Sequence, residues 1–386
     1  MAYDLVLRGG HVIDPANGRN GVMDVAVTGG RIAAVGESIA PDANARTVSV
    51  NGLLITPGLL DIHVHAYGGY DGWLFPDLPA LSNGVTTVVD AGGAGWKSFD
   101  HFRQTIIARS RTRVLAFLNI VGAGMLGAVE QNIAEMEPVP CAKTIRNNCD
   151  VIVGVKTAHF GGPGWEAVDR AVEAAALSGT MAMVDFAPRP TRSYRDLLLE
   201  HLRPGDIHTH VYAQHIPSLD DAKQVQAYMF EARSRGVLFD LGHGAGSFWW
   251  RIAVPAVRQG FPPDTISTDL HKVSALVPNA TMTTTMSKCL ALGMSVEDVI
   301  RRSTVEPARA IRRPELGTLA VGAEADIAVL ELVHGDFGFV DSGRARMRGR
   351  ERFECILTIR AGEIVWDRNG LSLPDWESAG DYVFIR

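Results

Sequence analysis

The chain has no closely spaced cysteine pair among its 386 residues. Its four cysteines, Cys141, Cys149, Cys289 and Cys355, are scattered, which excludes a zinc ribbon and a C-x-x-C redox site. Isolated thiols suit a reducing compartment. Excess positive charge is also lacking: the formal net charge is -6, so no basic surface is expected and nucleic acid is a poor partner. No apolar run approaches the ~20 residues of a membrane span. The opening residues, Met1 to Arg8, have the texture of an amphipathic strand rather than the charged and apolar regions of a signal peptide. The expectation is a cytoplasmic protein acting on a small molecule, with no membrane or nucleic-acid partner. A homo-oligomer is expected on base rate alone.

What is present is ordinary in bulk and ordered in pattern. Hydrophobic residues make up 46% and charged residues 21%, enough for a large core in a globular chain of this length. The first stretch reads as short strands broken by glycine: Leu5-Val6-Leu7, His11 to Asp14, Asp24 to Val27, and Arg31 to Val35. The last stretch has the same texture, at Ala325 to Leu330, Cys355 to Arg360 and Glu363 to Trp366.

Between these ends, apolar strand-like runs alternate with helical stretches. The runs close near His65, Ala91, Ile120, Lys156, Phe186, Val211, Gly242 and Asp269. Their spacing of roughly 25–40 residues is that of a βα unit, and eight such units favour an α/β fold of the (β/α)8 TIM-barrel type. Runs such as Val85 to Val89 suit buried parallel strands. In one helix, Val168, Ala171, Val172, Ala175 and Ala176 are predicted to share the buried face, with Gly179 ending it.

Chemistry gathers at the ends of these runs, where barrel enzymes keep their catalytic groups. Asp61-Ile62-His63-Val64-His65 closes the first, and residues two apart on a strand point the same way. His63 and His65 therefore form a candidate pair of metal ligands. Lys156 closes the fourth run. Burial should lower its pKa, and a neutral amine can take up carbon dioxide to become an anionic bridge between two metals. The bland alternative is a lysine that snorkels to solvent. Asp185 ends the fifth run, His208 and His210 lie on the sixth at a spacing that puts them on one face, and Asp269 ends the eighth. Each alone is as easily a satisfied core residue; the set is metal-competent.

These residues carry a resemblance. Pro57 to His65, Gly84 to Gly92, Val153 to Lys156, Gly205 to His210, Phe239 to Gly244, Ile266 to His271 and Gly317 to Asp326 are together similar to the amidohydrolase superfamily, nearest its dihydroorotase-like amidohydrolase/deacetylase branch. The resemblance spans nearly the whole chain. It implies a barrel over 57–314 and a small β-sandwich from 1–56 plus 315–386. It also implies that His63 and His65 hold a buried metal, that carboxylated Lys156 bridges two metals, that His210 holds the more exposed one, and that Asp269 binds the first metal and serves as acid/base.

Two departures bear on substrate and metal. Asp185 stands where the family usually has a histidine: it either ligates, favouring harder cations such as manganese over zinc, or points elsewhere and leaves the second metal weak or absent. Ala158 stands where the family often has an arginine. The expected cofactor is one or two divalent ions, zinc first. The expected reaction is hydrolysis of an amide, cyclic amide or ester by a metal-activated hydroxide, and relatives called deacetylases imply an N-acyl or O-acyl substrate. Substrate contacts are expected from His159, Arg189, His243 and His271, with Tyr67, Tyr70 and Trp96 as pocket walls. Arg189 and Arg192 would hold a carboxylate or, alternatively, form a solvated loop face. Two competing readings remain: a metal-dependent deaminase, which usually lacks the bridging lysine, and a non-catalytic barrel scaffold.

Overall fold

The computed structural model describes residues 2–40, 45–68 and 71–381. Seven parallel strands follow one another in chain order: Leu59–Val64, Val85–Gly95, Arg113–Asn119, Ile152–Thr157, Met181–Val184, Ile207–His208 and Leu238–Phe239. The eighth run, 265–270, joins them through single parallel bridges at each end, Asp240 to Thr265 and Val64 to Leu270. Backbone N–H groups of Leu241 and His65 donate to Thr265 and Leu270 at 3.0 Å, so the sheet closes on itself as a barrel.

Strand residues alternate between two apolar clusters, as a period of two requires. Val88, Val114, Ala116 and Ala182 meet the surrounding helices through Phe102, Cys141 and Ala171. Leu60, Ile62, Val89, Leu115, Phe117 and Met183 form the other cluster, closed off by Ala308, Ile311 and Leu316.

The later strands are shorter than the apolar runs suggested, and Phe186, Val211 and Gly242 lie beyond their ends. From the sixth run onward the cause is backbone geometry. His210, Gly242 and Asp269 have positive φ (65°, 50° and 46°), which ends the ladder where these residues turn toward the barrel mouth. The helix carrying Val168 to Ala176 runs Glu166–Ser178 and stops at left-handed Gly179, as predicted. Its buried face is turned by about one residue: Ala167 and Ala174 are inside, Ala176 is exposed and Val172 is half-buried.

Both chain ends build a second, eight-stranded sheet. Its order is Glu363–Asp367, Arg346–Arg360, Ile327–Val340, Leu54–Pro57, Leu5–Asp14, Arg19–Thr28 and Arg31–Gly36, with Arg46–Ser49 also pairing with Leu5–Asp14. Gly9 and Gly10 do not separate two strands. They form an irregularity within one, at φ 73° for Gly9, whose N–H donates to Asp24. The two last long strands form an antiparallel hairpin of 14 and 15 residues, far longer than the sequence pattern indicated. Its outer half is rich in charged residues, which conceals the strand period. Among the described residues, no helix is long and apolar enough to cross a membrane.

Candidate metal centre

His63 is oriented from behind. Thr209 Oγ1 donates to Asp240 at 2.8 Å and lies 2.9 Å from His63 Nδ1. The hydroxyl has spent its one proton, so Nδ1 must be the donor and Nε2 keeps its lone pair. That lone pair faces Lys156 Nζ at 3.2 Å and Asp269 Oδ1 at 3.6 Å. His210 follows the same logic: Nδ1 lies 2.6 Å from the Gly242 carbonyl, which can only accept, so Nε2 is left free of the proton and stands 3.7 Å from Asp185. Such fixing of one ring nitrogen is how metal-binding imidazoles are aimed.

His65 Nε2 lies 2.9 Å from Asp269 Oδ1. One ligand atom from each of His63, His65 and Asp269 falls within a mutual 4.8 Å, and all three residues are buried. Burial, with Lys156 alongside, pushes the His63 imidazole down to about 3, so it is neutral and able to donate its lone pair to a cation. Burial likewise lowers the Lys156 amine, against the pull of Asp185 and Asp269. Burial alone would raise both carboxyls. His210, Lys156 and His159 outweigh it and hold Asp185 at about 2, while His63 and His65 hold Asp269 well below the usual range. The donor set of a neutral His63, two further imidazoles, carboxylates held low and a depressed amine fits a divalent cation.

The remaining predicted residues separate clearly. His208 lies back in the core: the strand ends there, and its ring packs on Tyr194 and Phe239 with Nδ1 near the Val184 carbonyl. Because His210 adopts φ 65°, the two histidines do not share a strand face as their spacing suggested. His159 stands beside the cluster, with Nδ1 3.1 Å from buried Glu130 and Nε2 3.8 Å from Asp185. The His271 ring is edge-on to His65 at 6.2 Å. His243 has both nitrogens engaged, 2.9 Å from the Gly244 carbonyl and 2.7 Å from Lys288 Nζ. Arg189 is exposed, and its guanidinium bonds to the Pro188 carbonyl. Arg192 is buried between Phe160 and Phe186 and donates to the Phe160 carbonyl, so it ties a loop together. Tyr67 bonds to His101, and Trp96 packs beneath Lys97. Tyr70 lies outside the described residues.

The sequence profile of the Amidohydrolase family matches residues 250–365. A deacetylase of Agrobacterium fabrum is 34% identical over 353 residues, which is 89% of this chain and 86% of that relative. The chain belongs to the amidohydrolase family. Among solved structures, a dihydroorotase superposes with a TM-score of 0.85 at 31% identity, covering 94% of this chain and 99% of that one. An adenine deaminase superposes with a TM-score of 0.88 at 26% identity, covering 95% of this chain and 100% of its own. This amidohydrolase is therefore a metal-dependent hydrolase acting on C–N bonds, with a His-His-Asp cluster at its barrel mouth.

Several residues that shape the amidohydrolase site were not singled out in sequence. Asp240 is fully buried and accepts from Thr209, Thr265 and Ser267 at 2.6–2.8 Å. Burial would raise its carboxyl, but the His63 imidazole 3.7 Å away and the Thr265 and Ser267 hydroxyls hold it below its ordinary value. Asp61 accepts from the backbone and side chain of Thr268, yet burial still pushes its carboxyl up to about 7. Glu130 and Lys288 complete the set. The available signal was a carboxylate inside a continuous apolar run, as in Phe239-Asp240-Leu241. Glu130 and Lys288 carry no such mark.

Proposed function

We propose that this amidohydrolase removes an acyl group from an N-acyl or O-acyl small molecule at a two-cation centre held by His63, His65, Lys156, Asp185, His210 and Asp269. The observation that carries the reading is the pair of fixed tautomers: Thr209 and Gly242 leave His63 and His210 with inward-facing lone pairs around Asp269, Asp185 and Lys156. A divalent cation bound there supplies an acidified water, from pKa 15.7 to roughly 7 in favourable sites, and polarises the scissile carbonyl. His63, His65 and Asp269 would hold one ion, and Asp185 and His210 the second. Carboxylated Lys156 would lie between them, its buried amine being suited to carbon dioxide uptake. Zinc is the first choice, with manganese favoured by the carboxylate of Asp185.

Asp269 takes a proton from the attacking water and returns it to the leaving nitrogen or oxygen, an exchange its carboxylate can make only while ionised. His159, steadied by Glu130, and His271 line the mouth and are the side chains assigned to the substrate. His243 is taken off that list because its ring nitrogens are spent elsewhere. Arg189 is kept only for substrates long enough to reach the loop surface. The reading also carries the division into a barrel over 57–314 and a small sandwich over 1–56 plus 315–386. It includes a cytoplasmic homo-oligomer as well.

Deamination is the second reading, favoured by the solved adenine deaminase neighbour. The buried Lys156 amine beside His63 supports a bridged pair of cations instead. A panel of N-acyl amino acids, acyl esters, cyclic imides and adenine, assayed on zinc- and manganese-loaded protein, separates the two. Turnover of an acyl compound, lost by about 10²–10⁴ in Asp269→Asn, is the expected result. Ammonia release from adenine with no acyl turnover would overturn it.

A further inference from the structure

Lys288 is a lysine in the wrong kind of place. It sits in helix Met282–Ala291 with no solvent exposure. Among the described residues no carboxylate lies within 4.0 Å of its amine to form an ion pair. Its partners are His243 Nε2 at 2.7 Å and the Pro278 carbonyl at 3.0 Å. A buried amine without a counter-ion is costly to keep, so what it holds matters.

It holds one end of a short chain of contacts. His243 Nδ1 lies 2.9 Å from the Gly244 carbonyl and must donate to it, which leaves Nε2 as the acceptor for Lys288. The ring is stacked on Phe248 at 4.7 Å and is fully buried. The backbone on either side of His243 touches the metal centre. Gly242 supplies the carbonyl that fixes the His210 tautomer. Gly244 is at φ 52°, and a Cβ there would stand 2.3 Å from Asp269 Oδ2, so its backbone is packed directly on the carboxylate. Three residues thus aim one proposed ligand and seat another, while the side chain of the middle one points away to Lys288.

We propose that Lys288 is a positioning residue for the metal centre, acting through His243 to set the Gly242–Gly244 backbone against His210 and Asp269. The inference rests on the metal-centre reading above. It adds a residue from a helix outside the strand ends, with a role distinct from ligation. Lys288→Met removes the donor while keeping much of the side-chain volume, and Lys288→Leu serves if the methionine variant does not fold. His243→Phe removes the acceptor, and His243→Gln keeps one in its amide oxygen.

The test is cobalt(II) binding followed by visible absorption, alongside kcat and KM for whichever acyl compound the wild type turns over. Melting temperature and near-ultraviolet circular dichroism report the fold. Expected in folded Lys288→Met are an altered cobalt spectrum, a cation affinity about 10-fold weaker and a lower kcat at nearly constant KM. The double variant Lys288→Met/His243→Phe should be no worse than the poorer single variant, because both changes break one chain. His243→Gln should retain more cobalt affinity than His243→Phe. Normal cobalt uptake by the wild type, with an unchanged spectrum and affinity in folded Lys288→Met, would overturn this inference alone. No cobalt uptake by the wild type would overturn the metal-centre reading and this inference with it. Losses that multiply in the double variant would show that Lys288 does not act through His243.

Discussion

At the scale of single residues, the site is defined as much by who supports the ligands as by the ligands themselves. His63-x-His65 was legible because two imidazoles at strand spacing at a barrel-strand end have few structural uses. Asp240, Thr209 and Gly242 were not, because a hydrogen-bond acceptor behind a histidine has no spacing rule. Gly244 offers a direct check. Adding a methyl group there meets both a positive φ and the Asp269 carboxylate. Gly244→Ala should cost about 1–2 kcal/mol of stability and lower kcat more than 10-fold, measured by urea unfolding and steady-state kinetics; wild-type kcat would contradict the packing described. Lys288 gives a pH signature. Burial lowers its amine from the ordinary value to about 7. Above that pH the unfolded chain holds a proton that the folded chain lacks, so stability should rise with pH until the unfolded amine also titrates, near 10.5. Wild type should therefore gain about 1–2 kcal/mol on Lys288→Met between pH 7 and 9, as unfolding curves at each pH would reveal. A pH-independent difference would mean that the amine stays protonated.

At the scale of elements, the eight apolar runs made the barrel readable, while the strand lengths were misjudged wherever a site residue needed left-handed backbone. His210 is the clearest case: alternation on a strand paired it with His208, but its φ of 65° separates them. The long terminal hairpin was hidden for another reason. Arg346, Arg348, Arg350 and Arg352 alternate with few apolar partners, so the strand period has no hydrophobic face to announce it. The hairpin nevertheless matters to the site. Asp341 at its turn is buried and accepts from the backbone of Trp250 at 3.0 Å and Ala345 at 2.8 Å. The hairpin thereby grips the segment that follows His243. Asp341→Ala leaves the buried Trp250 N–H unmet, while the exposed Ala345 N–H can turn to water, and should cost about 1–3 kcal/mol in a denaturant titration. A shift below about 0.5 kcal/mol would mean that water replaces the carboxylate and that the grip is dispensable.

At the scale of the whole molecule, side chains from the first, fourth, fifth, sixth and eighth barrel segments converge on one point, and the closed sheet is what brings them there. Cations that bind only this folded arrangement must stabilise it by mass action. Melting temperature should rise with added zinc or manganese and fall after chelation, and the increment should vanish in a His63→Ala/His65→Ala double variant. The measurement that bears most directly on the account is anomalous diffraction from crystals grown with zinc or manganese. The account predicts a peak between His63, His65 and Asp269, a second near His210 and Asp185, and extra density on the Lys156 amine between them. An empty space among His63, His65 and Asp269 at saturating cation would contradict it.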